Sequence, residues 1–275
     1  LYKKYGDRTI PTIKENPYRM AEDISGIGFR MADQIAMSMG IQPQSAYRIA
    51  AGVKYALFQF HQEGHTYCPE DVLIKNSSDL LGIGAEEVEG HLTDLVIKGQ
   101  FKLEMVDDRR VYYTIPFYRA EEEVAHQIIA LAMTKMDNQI PDLDQRIQRM
   151  ERKNGILLAS RQRQAVREAM QNGLLVITGG PGTGKTTIIN SILDILEDLD
   201  EVVLLAAPTG RAAKRMTETT GREAKTIHRL LEYAFGKEGE DPFFQKNEES
   251  PLSADVVIID EVSMVDILLM NHLLK

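Results

Sequence analysis

Residues 174–187 read LLVITGGPGTGKTT. The strand-like run Leu174 to Thr178 meets Gly179, and five positions later Gly184, Lys185 and Thr186 stand together before the apolar-spaced segment IINSILDIL. The order is strand, glycine-rich turn, helix, with the full G-x-x-x-x-G-K-T spacing. Glycines let the backbone curl until successive N–H groups converge on phosphate oxygens at the positive end of a helix. A lysine at this place reaches β- and γ-phosphates, and the following hydroxyl ligates Mg²⁺. The spacing predicts a cradle for ATP built by Gly180, Pro181, Gly182, Thr183, Gly184, Lys185, Thr186 and Thr187.

Seventy-odd residues downstream, VVIIDEVSM runs from Val256 to Met264. Its apolar start predicts a buried parallel strand, with Asp260 at the carboxyl end where ligands of open α/β sheets sit. Asp260 is then placed to share Mg²⁺ with Thr186, and Glu261 to polarise an attacking water. An Asp-Glu pair alone is a weak sign. Behind a phosphate cradle it makes Lys185, Asp260 and Glu261 the candidate catalytic set, and NTP hydrolysis the joint reading.

Working outward, residues 154–275 alternate strand, turn and helix, which predicts a doubly wound α/β domain. Upstream, IAAGVKYALFQFHQ has helical apolar spacing at Ile49, Val53, Ala56, Leu57 and Phe60. The helix EEVEGHLTDLVIKG is followed by β-like runs FKLEMV and RVYYTI, joined by Asp107-Asp108, as in a winged helix. The expected divisions are 1–68, helical; 69–153, winged-helix-like with a helical linker; and 154–275, the P-loop lobe. Apolar content of 43% with 27% charged residues is ordinary for a globular chain of 275 residues. There is no apolar run of membrane-spanning length and no signal-peptide core at the start, and one cysteine, Cys68, fits a reducing cytoplasm.

Net charge is −9, yet Ala207 to Leu231 holds six cations against two carboxylates. One short segment therefore stays basic in an acidic chain. HQEGHTYC spaces His61, His65 and Cys68 like metal ligands, but three ligands with no second cysteine assign no zinc site. ISGIGFRMADQIA is similar to a helix-hairpin-helix element, whose Gly26 and Gly28 would turn backbone N–H groups toward a DNA phosphate, with Arg30 adding charge. LLGIGAEEVEGHL repeats the glycine spacing, but Glu86, Glu87 and Glu89 repel phosphate, so that copy is expected to be structural.

Five motifs in order carry a wider resemblance: LASRQRQAV, GGPGTGKT, APTGRAAKRM, TIHRLL and IIDEVSM. Together with NPYRMAEDISGIGFRMADQIA and GHTYC, they resemble RecD/TraA-type superfamily 1 DNA helicases of the long, free-standing RecD-like form. The resemblance implies a RecA-like lobe using ATP and Mg²⁺, with Gln162 reading adenine. It implies contacts to single-stranded DNA by Thr209, Gly210, Arg211, Lys214, Arg215, Thr226 and His228, and 5′→3′ movement. Tyr233 and Phe235 before a Gly-rich turn, with Phe243 and Phe244 after it, suit a β-hairpin. Family members often wedge duplexes apart with such a hairpin, which makes Phe235 and Phe243 candidates at ss/ds DNA junctions. Protein partners are not indicated.

A translocating helicase needs two such lobes and a transition-state arginine from the second. The expectation is a chain cut short after the acidic pair, binding nucleotide weakly, with near-background hydrolysis and no unwinding. Two other readings stay open: a P-loop ATPase of another DNA-processing class, and a non-enzymatic DNA-binding module.

Overall fold

The computed structural model describes residues 2–24, 26–134, 140–180, 182–236 and 242–275. The chain divides into two compact units, Leu1–Glu121 and Glu122–Lys275.

The first unit opens with α1 (Tyr2–Tyr5), a 3₁₀ turn, α2 (Thr9–Glu15), α3 (Arg19–Asp23), α4 (Phe29–Ser38) and α5 (Ala46–Gln62). On α5 the apolar stripe behaves as its spacing requires: Ile49, Val53, Ala56 and Leu57 are all buried. Next come β1 (Cys68–Pro69), α6 (Glu70–Leu81), α7 (Ala85–Ile97), β2 (Phe101–Val106) and β3 (Arg109–Thr114). The three strands form an antiparallel sheet in the order β1-β3-β2. Asp107 and Asp108 both take positive φ, the left-handed pair that a two-residue hairpin turn demands. Helix then hairpin is the winged-helix-like arrangement expected.

One core serves this whole unit: Tyr18, Phe29, Ile49 and Leu57 pack in the same cluster as Leu73, Leu92, Phe101 and Tyr112. The expected division at 68/69 cuts through β1, where Cys68 pairs with Tyr112 and Pro69 with Val111. Arg48 ties the helices together from inside. Its guanidinium donates to both Asp33 oxygens, at 2.8 and 3.0 Å, and to the carbonyls of Leu81 and Pro43. Tyr18 donates to the same Asp33 carboxylate at 2.7 Å.

The long α8 (Ile115–Met133) begins in the first unit and ends in the second. The second unit continues with α9 (Leu143–Asn154), α10 (Ser160–Ala169), α11 (Lys185–Glu197), β4 (Val203–Ala207), α12 (Gly210–Thr220), β5 (Ala224–Thr226) and α13 (Ile227–Leu230). It closes with β6 (Tyr233–Ala234), β7 (Phe243–Phe244), β8 (Val256–Ile259), a 3₁₀ turn and α14 (Ile267–Leu274). The boundary expected at 153/154 does not separate cores: Ile147 and Met150 of α9 pack with Val166 of α10 and Ile188, Ile192 and Ile195 of α11.

The sheet is parallel, in the order β5-β4-β8, with register Ala207↔Thr226 and Ala206↔Ile259. Two sequence expectations need correction here. Leu174 to Thr178 has strand composition, but a strand exists only as a hydrogen-bonded pair, and these residues form no ladder among the described residues. Val176 is 68% exposed as a result, while Ile177 packs on the helical core. β8 is parallel as expected but not buried: it is the edge of the described sheet, and Val257 is exposed.

Candidate nucleotide and nucleic-acid site

Parallel pairing gives all three strands one carboxyl edge. Thr209 follows β4, Thr226 ends β5, and Asp260 and Glu261 follow β8, so all of them come to this rim. The start of α11 reaches it too. Ile189 and Leu193 of α11 pack with Val203 and Leu205 of β4, and only five residues join the helix end at Glu197 to that strand. Thirteen residues of helix span about 20 Å. A helix lying back along the strand over that length returns its first turn, with Lys185 and Thr186, to the carboxyl edge.

The glycine loop is already curled. Gly182 and Gly184 have φ of +74° and +84°, the left-handed region that glycine enters freely. At Gly184 a Cβ would also collide with the Gln162 amide. Thr183 donates its hydroxyl to Gly180 O at 2.9 Å, and the Lys185 ammonium donates to the carbonyls of Gly179 and Gly180. Thr186 is exposed at the helix start, with Thr187 half-buried beside it. Pro181 lies outside the described residues. Gln162 spends its amide within the protein: Oε1 accepts from Ala159 N–H at 3.0 Å and Nε2 donates to Thr183 O at 3.1 Å. It thereby fastens the start of α10 to the loop.

At the acidic pair, Asp260 extends the ladder by donating N–H to Ala206 O at 3.0 Å, and its Oδ1 accepts the Glu261 N–H at 3.0 Å. Glu261 sits at φ +55°, ψ 40°, left-handed without being glycine. That conformation costs roughly 1–2 kcal/mol, and it turns the chain sharply out of the strand at the one residue expected to act on water.

Beside it, Thr209 caps α12 by accepting from Ala212 N–H at 3.2 Å, and Thr226 caps α13 in the same way through Arg229 N–H. α12 divides cleanly: Ala213 and Met216 face the core, while Gly210, Arg211, Lys214 and Arg215 are exposed. His228 lies against the rings of Tyr233 and Phe244, with centroids at 5.4 and 5.8 Å. The expected hairpin forms, pairing Tyr233 with Phe244 and Ala234 with Phe243. Phe244 turns inward onto His272, whereas Phe235 is 83% and Phe243 50% exposed.

In the first unit, Gly26 is left-handed at φ +91° and Gly28 precedes α4; both are exposed, as is Arg30. Gly82 and Gly84 repeat this geometry before α7, whose first turn carries Glu86 and Glu87. His61 and His65 are occupied elsewhere. His61 stacks on Phe117 and binds His65 O and the Thr114 hydroxyl, while His65 stacks on Phe60. No cluster of metal-binding side chains occurs among the described residues.

Residues 1–67 match the family model described as the helix-hairpin-helix domain of ATP-dependent RecD2 DNA helicase, and residues 162–275 match an AAA domain model. Over 99% of its length the chain is 31% identical to the ATP-dependent RecD2 DNA helicase of Deinococcus radiodurans. The chain belongs to the RecD-like helicase family. The RecD subunit of the RecBCD enzyme from Mycobacterium tuberculosis is 33% identical over 62% of this chain, and that from Haemophilus influenzae 34% over 42%. This RecD-like chain spans 38% of the Deinococcus protein and 31% of the mycobacterial one.

Three features escaped the sequence reading: the Arg48–Asp33–Tyr18 network, the internal use of Gln162, and a set of polar ties between α11 and the end of α12. Each includes a bond between residues at least 15 positions apart, which short-range spacing does not reveal.

Proposed function

We propose that this RecD-like chain is the ATP-binding and DNA-gripping part of a helicase that moves 5′→3′ on single-stranded DNA and opens ss/ds junctions. The shared carboxyl rim carries the reading, since one edge holds the phosphate loop, the acidic pair and the start of the basic helix α12. ATP and Mg²⁺ fit it. The loop glycines are already curled, and Lys185 rests on carbonyls it can exchange for phosphate oxygens. Thr186 and Asp260 would hold Mg²⁺, which when bound neutralises charge on the β- and γ-phosphates. Glu261 is the candidate to take a proton from water.

Arg211, Lys214 and Arg215, with the rim threonines and His228, would track a sugar-phosphate backbone without reading bases. Exposed Phe235 and Phe243 suit stacking at a junction, so Phe243→Ala in the longer protein is expected to lower the base pairs opened per ATP. The Gly26–Gly28 turn would add a phosphate contact from the first unit. Polarity rests on likeness to the family alone.

Titration with a fluorescent ATP analogue and Mg²⁺ tests the reading. Binding should saturate, and Lys185→Ala should weaken it about 100-fold, roughly 2.7 kcal/mol. Equal affinity in the two proteins would sink it.

A further inference from the structure

Thr187, Asn190, Asp194 and Glu197 lie three or four residues apart, so they form one stripe down α11 that begins in the phosphate loop. The stripe faces the end of α12. Nearer the sheet the two helices touch through Leu193 and Met216. Beside the stripe lies a cavity of about 340 Å³, bordered by Asn154, Ile156, Asn190, Asp194, Thr220 and Arg222.

Polar ties join α11 to the end of α12. Asn190 Nδ2 donates to Thr219 O at 3.1 Å. Arg222 donates from Nη2 to Asp194 at 3.2 Å and from Nε to Glu197 at 2.5 Å. Asp194 also receives Asn154 Nδ2 from the end of α9. Arg222 stands just after left-handed Gly221, and its Nη1 donates back to Thr220 O at 3.3 Å. One guanidinium thus closes the end of α12 and holds two carboxylates of α11. Asn190 thus ties α11 to the end of α12 through its amide nitrogen and also borders the cavity.

We propose that Arg222 is a positioning residue that couples nucleotide occupancy of the 179–187 loop to the placement of α12, and through it to the grip on DNA. The inference rests on the proposed function. α12 is a rigid rod whose far end carries Thr209, Gly210 and Arg211, so a shift imposed at Thr219–Arg222 is delivered at the rim. Coupling of this kind needs an element that both sites bias, and α12, tied to α11 at one end and carrying the rim residues at the other, supplies one.

Hydrogen–deuterium exchange with and without a non-hydrolysable ATP analogue and Mg²⁺ tests it on this chain. Nucleotide should slow exchange several-fold in the 179–187 loop and change it at least threefold across residues 213–222. In Arg222→Ala the loop response should persist while the 213–222 response falls to under 1.5-fold; Arg222→Lys, which can hold only one carboxylate well, should give an intermediate value. If Arg222→Ala fails to fold, Asn190→Ala, which cuts the other tie, must likewise shrink the 213–222 response. A wild-type loop response with no change at 213–222, or an undiminished change in the variants, overturns the coupling. No loop response in the wild type overturns the nucleotide reading and the coupling with it.

Discussion

In the first unit the Arg48 guanidinium is buried and bonded to Asp33, Leu81 O and Pro43 O. In the second, Arg211 and Arg215 stand exposed on α12 and form no ion pair among the described residues. The same side-chain chemistry is turned inward in one unit and outward in the other. Inward, it has displaced water and must be answered in full, because a buried charge stripped of its partner costs several kcal/mol. Outward, it costs little to keep and little to remove, and its value lies in what it meets. Substitutions in the first set should therefore register as lost stability, and in the second as lost binding.

Arg48→Ala is the strongest way to break that contrast. It leaves Asp33 half-buried without its cation and the Leu81 carbonyl without its donor. The expected loss is about 3–5 kcal/mol of first-unit stability, read as a lower urea midpoint by circular dichroism. A loss below about 1 kcal/mol would mean the inward network is ornamental.

Removing Arg211 and Arg215 together is the counterpart. Four backbone contacts predict a slope near −3 for log affinity against log salt on single-stranded DNA, each contact contributing about 0.7. The double change to Ala should flatten the slope to about −1.5 while moving the unfolding midpoint by no more than about 0.5 kcal/mol. A large stability loss with an unchanged slope would reverse the assignment of the two regions.

How far these regions were legible in the sequence follows from the range of the interactions that make them. The phosphate loop, the hairpin of Tyr233 and Phe244, the α5 stripe and the Asp107-Asp108 turn are set by spacing and φ preference within about a dozen residues, and each formed as its residues imply. Leu174 to Thr178 misled because composition signals that a segment can be a strand, not that a neighbour pairs with it. The unit boundaries make a related point: the division expected at 68/69 agrees with the end of the matched helix-hairpin-helix region at residue 67, yet packing continues across it. Cys68 reaches Tyr112 and Ile147 joins the α11 core across the sequence, and no local breaker residue records such joins. Gln162 combines both ranges at the site: its bond to Ala159 spans three residues, while its bond to Thr183 is visible only in three dimensions.

The smallest expected effect is one of pH, and it sharpens the contrast because the first unit buries His61 while the second leaves His272 exposed on α14. Burial is the main cause that pushes the His61 pKa down, against a smaller opposing pull from its bond to the His65 carbonyl. A carbonyl can only accept, so Nδ1 carries a proton, and in the neutral ring Nε2 receives the Thr114 hydroxyl at 3.3 Å. The unfolded chain takes up a proton at the ordinary value of about 6.5, above the folded one. Stability from this group is therefore complete above about pH 6.5 and declines as pH falls below it toward the folded value. The melting temperature should be lower at pH 5.5 than at 7.5, and His61→Gln, which keeps a donor and an acceptor but cannot titrate, should shrink the difference. His272 in the second unit is lowered by the same desolvation, aided by Lys275, so a residual slope must survive in His61→Gln. Replacing His272 by Gln as well should remove that remainder; a full slope in the double variant would place the acid sensitivity in carboxylates instead.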